Sequence, residues 1–261
     1  FTDATMTTQK GTNGILPGDR VYLTFTAKNT GNQTWSNTGA NPIRVGTFNP
    51  IERTSLFAPG SNWIGPSRAG TLLQSSVAPG QNGTFGFWVT VPNSPGVHNE
   101  RFGLVVEGVT WMNNTGLSYF FGVVPKVYTW QITNQYVYTD ASKTVPRDMA
   151  NLRAGDKIYV GFTAKNTGNQ TWSNTGANPI RVGTLSPIER TSIFAPGSNW
   201  LGPSRAGQLI ESAVAPGGTG TFEFWLTVPN IPGTYNERFG LVVEGTTWMN
   251  DTGLSYYARI L

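Results

Sequence analysis

At 261 residues, with 38% hydrophobic and 12% aromatic content and a net charge of only +4, the chain has ample material for packed cores, which excludes a disordered polypeptide. Charged residues also make up only 12%, roughly half the usual share, so the polar surface is built largely from Thr, Ser, Asn, Gln and Gly. The absence of cysteine excludes disulfides, thiolate metal sites and a cysteine nucleophile; the 18 Lys and Arg form no basic run of the kind that binds nucleic acid, and no stretch approaches the roughly 20 apolar residues of a membrane span.

From the N-terminus, the LPGD turn at Leu16 leads into VYLTFTA, where Val21, Leu23, Phe25 and Ala27 alternate onto one face of a predicted strand. NTGN at Asn29 closes it, and Trp35 follows. PIRVGT at Pro42 and APGS at Ala58 precede SNWIGPSRAG, Ser61 to Gly70, a Gly- and Pro-rich loop that carries Trp63 with Arg68 close behind. After APGQ at Ala78, TFGFWVTV places Phe85, Phe87, Val89 and Val91 on one face and Trp88 on the other. VPNSPG at Val91 then turns the chain into FGLVV at Phe102 and TWMN at Thr110. No stretch has helical periodicity with caps.

Everything then repeats. A shift of 137 residues superimposes the chain on itself without a gap, and from Gly18–Val124 to Gly155–Leu261 there are 81 identities in 107 positions. Such similarity means duplication of a whole folding unit. Short strands punctuated by turns predict an all-β chain of two tandem immunoglobulin-like antiparallel sandwiches, residues 1–124 and 125–261. The junction PKVYTWQITNQYV, Pro125 to Val137, has no Gly or Ser and reads as the first strand of the second domain, with Tyr128, Trp130 and Ile132 on one face. It predicts a junction with little hinge. The first repeat has no such segment. Either residues N-terminal to Phe1 or another chain supplies its strand, the latter making the protein a polymer by strand donation.

Chemistry is scarce. The sole histidine, His98, is replaced by Tyr235 in the second copy, which argues against a Ser-His-Asp arrangement or a histidine metal site. Glu52 and Glu100 each precede an arginine, so ion pairing is their natural role; Glu107, next to an apolar strand and Gly108, is open to burial against Lys28 or an arginine, or to promoting an isopeptide bond between Lys28 and Asn113. No catalytic residue, metal or cofactor is expected. Trp63 with Arg68, and Trp200 with Arg205, are candidates to stack on a sugar or hold an acidic partner, unless the indoles fold back onto the protein. Trp88 and Trp225, with Tyr128, Trp130 and Ile132, are interface candidates.

The run F-x-A-K-N-T-G-N-x-T-W, Phe25 to Trp35 and again Phe162 to Trp172, resembles the opening of the four-tryptophan family, the central domain of the autophagy receptor Next-to-BRCA1. VAPG at Val77, VPNSPGVHNERF at Val91 and VPNIPGTYNERF at Val228 fit its later turns. PIRVGT, IERTS and LVVEGVTWMN are most similar to bacterial relatives carried on extracellular and cell-wall-associated proteins. The resemblance implies an immunoglobulin-like fold and a non-catalytic module at the bacterial surface. Its expected roles are a spacer or self-associating filament, or else a binder of cell-wall glycan.

Overall fold

A computed structural model describes all 261 residues. The chain is all-β with no helix, and its strands form several sheets. It divides into two compact units, Phe1–Pro125 and Lys126–Leu261.

The first unit contains β1 (Asn13–Ile15), β2 (Arg20–Lys28), β3 (Trp35–Ser36), β4 (Ile43–Thr47), β5 (Arg68–Leu72), β6 (Ser76–Val77), β7 (Asn82–Thr90), β8 (Gly96–Val106), β9 (Thr110–Trp111) and β10 (Ser118–Val123). Its main sheet runs β1-β10-β8-β4-β5-β7-β2, with β9 on β8, while β3 pairs with β6. The long strand β8 serves two neighbours: Gly96 to Arg101 pairs with β10 and Phe102 to Val106 with β4.

The second unit contains β11 (Trp130–Tyr138), β12 (Lys157–Asn166), β13 (Trp172–Ser173), β14 (Ile180–Thr184), β15 (Arg205–Gln208), β16 (Ala213–Val214), β17 (Thr219–Thr227), β18 (Gly233–Val243), β19 (Thr247–Trp248) and β20 (Ser255–Ile260). Its sheets run β11-β12-β17 and β15-β14-β18-β19 with β20 also on β18, and β13 pairs with β16.

Period-two patterning produces these strands. Along β7, Gly83, Phe85, Phe87 and Val89 are buried and alternate with half-buried Thr84, Gly86, Trp88 and Thr90, because successive side chains leave opposite faces of a pleated strand. The buried residues of each unit form one apolar cluster, centred on Val45, Phe85 and Phe102 in the first and Val182, Phe222 and Phe239 in the second. Close approaches fix some small residues. A Cβ on Gly46 would lie 2.4 Å from the Trp111 ring, and one on Gly183 would lie 2.3 Å from that of Trp248. The fourth tryptophan of each repeat thus packs on a strand that must be bare beneath it.

The junction differs from its predicted form in where the strand starts. Regular pairing begins at Trp130, not Pro125. Pro125 has no N–H to give a ladder, and Val127 and Thr129 spend their backbone groups on the loop at Thr167 to Asn169: the Thr167 amide donates to Thr129 O at 3.1 Å and that of Asn169 to Val127 O at 3.0 Å. Tyr128, Trp130 and Ile132 all face the core, Trp130 completely. The register slips between Ile132 and Asn134, and the bulge reverses the alternation, so Val137 packs on the core while Tyr136 turns to the opposite face.

Candidate functional site

The loop tryptophans fold back onto their own units. The Trp63 indole N–H donates to Trp88 O at 2.6 Å, and its ring meets Phe87 and Phe102 edge-on, with centroids 6.4 and 6.0 Å away. Trp200 repeats this with Trp225 O, Phe224 and Phe239. Both rings remain half-buried, and Trp63 lines a shallow depression with Asn62 and Pro66.

The arginines turn elsewhere. The Arg68 Nε donates to Glu107 Oε1 at 2.6 Å and its Nη2 to Glu52 Oε1 at 2.8 Å, while its guanidinium lies 5.1 Å from the Trp111 ring centroid. Arg205 makes the same set with Glu244, Glu189 and Trp248. Glu107 therefore spends its carboxylate on Arg68 rather than on Lys28. The ion pairs cross between elements instead of joining sequence neighbours: Arg53 Nη2 meets Glu100 Oε1 at 2.6 Å, and Arg190 meets Glu237 at 2.8 Å. Burial pushes the Glu100 carboxyl above its ordinary value, and the charge and hydrogen bond of Arg53 pull against that. No group of three or more His, Cys, Asp or Glu gathers in a way that would hold a metal ion. Trp88 is half-buried, with Arg20 stacked 4.6 Å from its ring and Tyr22 edge-on at 5.3 Å; Trp225 has the matching tyrosine, Tyr159, at 5.1 Å.

What separates the units is a sheet edge. In the second, β12 lies between β11 and β17, whereas in the first β2 pairs only with β7. Phe1 takes the place of Tyr138 at the far end of that edge, its ammonium donating to Tyr22 O at 2.8 Å and its carbonyl accepting from Tyr22 N at 2.9 Å. Alternation then turns the backbone groups of Thr24, Thr26 and Lys28 outward along an edge that carries no partner strand.

In the second unit this edge is a groove with a tryptophan in it. Trp130 is 2% exposed, and its ring lies 5.6 Å from Phe162, which stacks on Phe222. Asn250 brackets it from the next loop. Asn250 Oδ1 accepts from the Trp130 amide at 2.9 Å, Nδ2 donates to Trp130 O at 3.0 Å, and Asn250 O accepts from the indole N–H at 2.9 Å. At the other end, Tyr136 donates to Glu223 Oε1 at 2.5 Å, Tyr159 to Oε2 at 2.6 Å, and Lys143 pairs with Oε1 at 2.7 Å. Burial raises the Glu223 carboxyl, but the bonds from Lys143, Tyr136 and Tyr159 outweigh it and hold the group below the usual glutamate value. Burial, followed by the bond to Glu223, pushes both phenols well above theirs.

Sequence reasoning named Tyr128, Trp130 and Ile132 but missed the groups that receive them: Phe162, Asn250 and Glu223. One signal was available. Among the few positions where the copies differ, Thr24/Gly161 and Gly86/Glu223 change together, and they are direct cross-strand neighbours in both units.

No family model and no curated protein matches the chain. Among solved structures it is similar to a protein of unknown function from Porphyromonas gingivalis W83 at 10% identity, over 95% of this chain and 92% of that one, with a TM-score of 0.27. So low a score carries no argument about either protein.

Proposed function

We propose that the chain is a non-catalytic structural module of a bacterial surface protein, two tandem immunoglobulin-like sandwiches of the four-tryptophan type that serve as a spacer or filament subunit. The observation that carries this reading is that the side chains best suited to hold a ligand are engaged within their own units, alike in both copies: the Trp63 and Trp200 indoles on backbone carbonyls, and Arg68 and Arg205 on internal carboxylates. The low charge content and the resemblance to wall-associated modules support placement outside the cell.

The competing role is glycan binding through the loop tryptophans. Co-sedimentation of the chain with insoluble peptidoglycan decides between them. The spacer reading expects the chain to stay in the supernatant, with no soluble sugar released. Retention that disappears in Trp63→Ala/Trp200→Ala would replace it with a wall-binding module.

A further inference from the structure

We infer that the outward face of the β11-β12-β17 sheet binds an acidic polysaccharide, a chain of pyranose rings bearing carboxylates, on a platform of Tyr136, Tyr138 and Trp225 with Lys143 at its margin. This goes beyond the spacer reading and adds a ligand to it, by way of a strand face and not of the loop tryptophans.

The outward face of an antiparallel sheet ordinarily carries polar side chains. Thr163, Thr219, Thr221 and Thr227 follow that rule, but one end of this face is aromatic. Tyr138, Tyr159 and Trp225 are cross-strand neighbours in one row over the three strands, and Tyr136, Gly161 and Glu223 form the next. Strands lie about 4.8 Å apart, so each row spans roughly 10 Å, room for about two sugar rings. The bonds within the unit shape this platform and do not use it up. A Cβ on Gly161 would lie 2.6 Å from the Tyr136 ring, so that ring lies down across the bare strand, and its hydroxyl reaches Glu223 on the strand beyond. Tyr138 sits beside it, with ring centroids 5.7 Å apart. Glu223 holds the hydroxyls of Tyr136 and Tyr159, which fixes the rings by their tips, and all four aromatics stay only half-buried. Flat rings already held in place bind at low entropic cost.

Charge selects the kind of sugar. β12 directs exposed Lys157 and Lys165 to this face, and Lys143, its side chain 43% exposed, places its ammonium 2.7 Å from Glu223 Oε1 and 5.8 Å from the Tyr136 ring centroid. Glu223 is the one acidic side chain that the three strands carry, and Asp140, in the turn before Lys143, spends its carboxylate on Thr139 and Ser142. Lys143 gives one of its three donors to Glu223 and keeps two for a ligand carboxylate. The residues that build the platform are also ones in which the copies depart from each other. Lys143, Gly161 and Glu223 stand where the first unit has Met6, Thr24 and Gly86, and there Arg20 lies 4.6 Å from the ring centroid of Trp88, the counterpart of Trp225. One site per chain follows. Pyranose rings set their C–H faces on the aromatics while their carboxylates meet the lysines. An acidic peptide supplies the charge without the flat rings, and a single-stranded nucleic acid calls for a basic groove that tracks its backbone, which this open face does not form.

The test is a titration of the full 261-residue chain into a fluorescently labelled galacturonic acid hexamer, with the carboxyl-reduced hexamer, hexaglutamate and a thymidine oligonucleotide as comparisons. The expected result is saturable one-to-one binding that weakens with added salt and is at least about tenfold weaker for each comparison ligand. Tyr138→Ala weakens it by at least about tenfold, and Lys143→Gln severalfold with a shallower salt dependence. Lys143 is exposed, so its replacement leaves the fold intact and reads the site alone. The inference fails if the hexamer does not saturate, if the reduced hexamer or hexaglutamate binds as tightly, or if both variants bind like the parent chain. Tighter binding of the oligonucleotide would overturn it in favour of a single-stranded nucleic acid. Any of these failures, with the chain still free of peptidoglycan, would remove the ligand and leave the spacer reading standing.

Discussion

Trp130→Ala is expected to cost the second unit about 3–5 kcal/mol, the range for removing a large aromatic from a packed core. The ring is buried against Phe162, and its indole and backbone hold three hydrogen bonds with Asn250. Truncation leaves a cavity beneath β11 and strands the Asn250 carbonyl that the indole N–H had satisfied. A domain of this size has a net stability of about 5–15 kcal/mol, so the loss is about a fifth of the total or more. The chain holds two units, so unfolding must be followed separately in each, through assigned amide signals in a urea series. The second unit's midpoint shifts markedly while the first unit's does not. A loss below about 1 kcal/mol would mean that β11 is only laid on the surface.

Arg53→Met is the second large effect, in the first unit, at about 2–3 kcal/mol near neutral pH. The Glu100 side chain is only 4% exposed, and Arg53, its partner at 2.6 Å, is 26% exposed, which places the cost below that of a fully buried pair. Methionine keeps the apolar stem and removes only the charge. The pH dependence follows from the direction of the Glu100 shift. Its folded-state pKa is raised, chiefly by burial, so the folded unit holds this proton more tightly than the unfolded chain does. Stability from this group is greatest in acid and declines as pH rises from the ordinary carboxylate value through the raised one. Without Arg53 the folded value rises further, so the penalty is largest at neutral pH and shrinks as pH falls towards about 4. Arg53→Met/Glu100→Gln recovers most of the loss, because no buried charge remains. A penalty that does not vary with pH would place the cause in packing.

Much of the fold was legible because its signals are local. Alternation in TFGFWVTV and the gapless repeat point to β-strands and to two units, and the strand residues Tyr128, Trp130 and Ile132 face the core as their spacing requires. The bulge near Thr133 was not legible, since the residues around it continue to alternate; only the slipped register reveals that Tyr136, not Val137, leaves the core. Proximity in sequence did not give the partner of Glu100, which Arg101 follows, and the sequence left Glu107 open between Lys28 and an arginine. Neighbours along an extended strand point to opposite faces, and the partners proved to be Arg53 and Arg68, 47 and 39 residues away. The groove was half visible. The strand residues of the second unit could be read from their alternation, but the groove that receives them is built from Phe162 and Asn250, which no local pattern brings together.

The central claim is that two nearly identical units differ in one open edge, and residue-resolved amide hydrogen exchange of the chain alone tests it most directly. The outward amides of β12, at Gly161, Thr163 and Lys165, face β11, whereas their counterparts Thr24, Thr26 and Lys28 on β2 face no strand. The account predicts slow exchange for the first three and exchange near the unprotected rate for the second three, while the inward amides of Leu23 and Phe25 stay protected. Equal protection of both sets would contradict it.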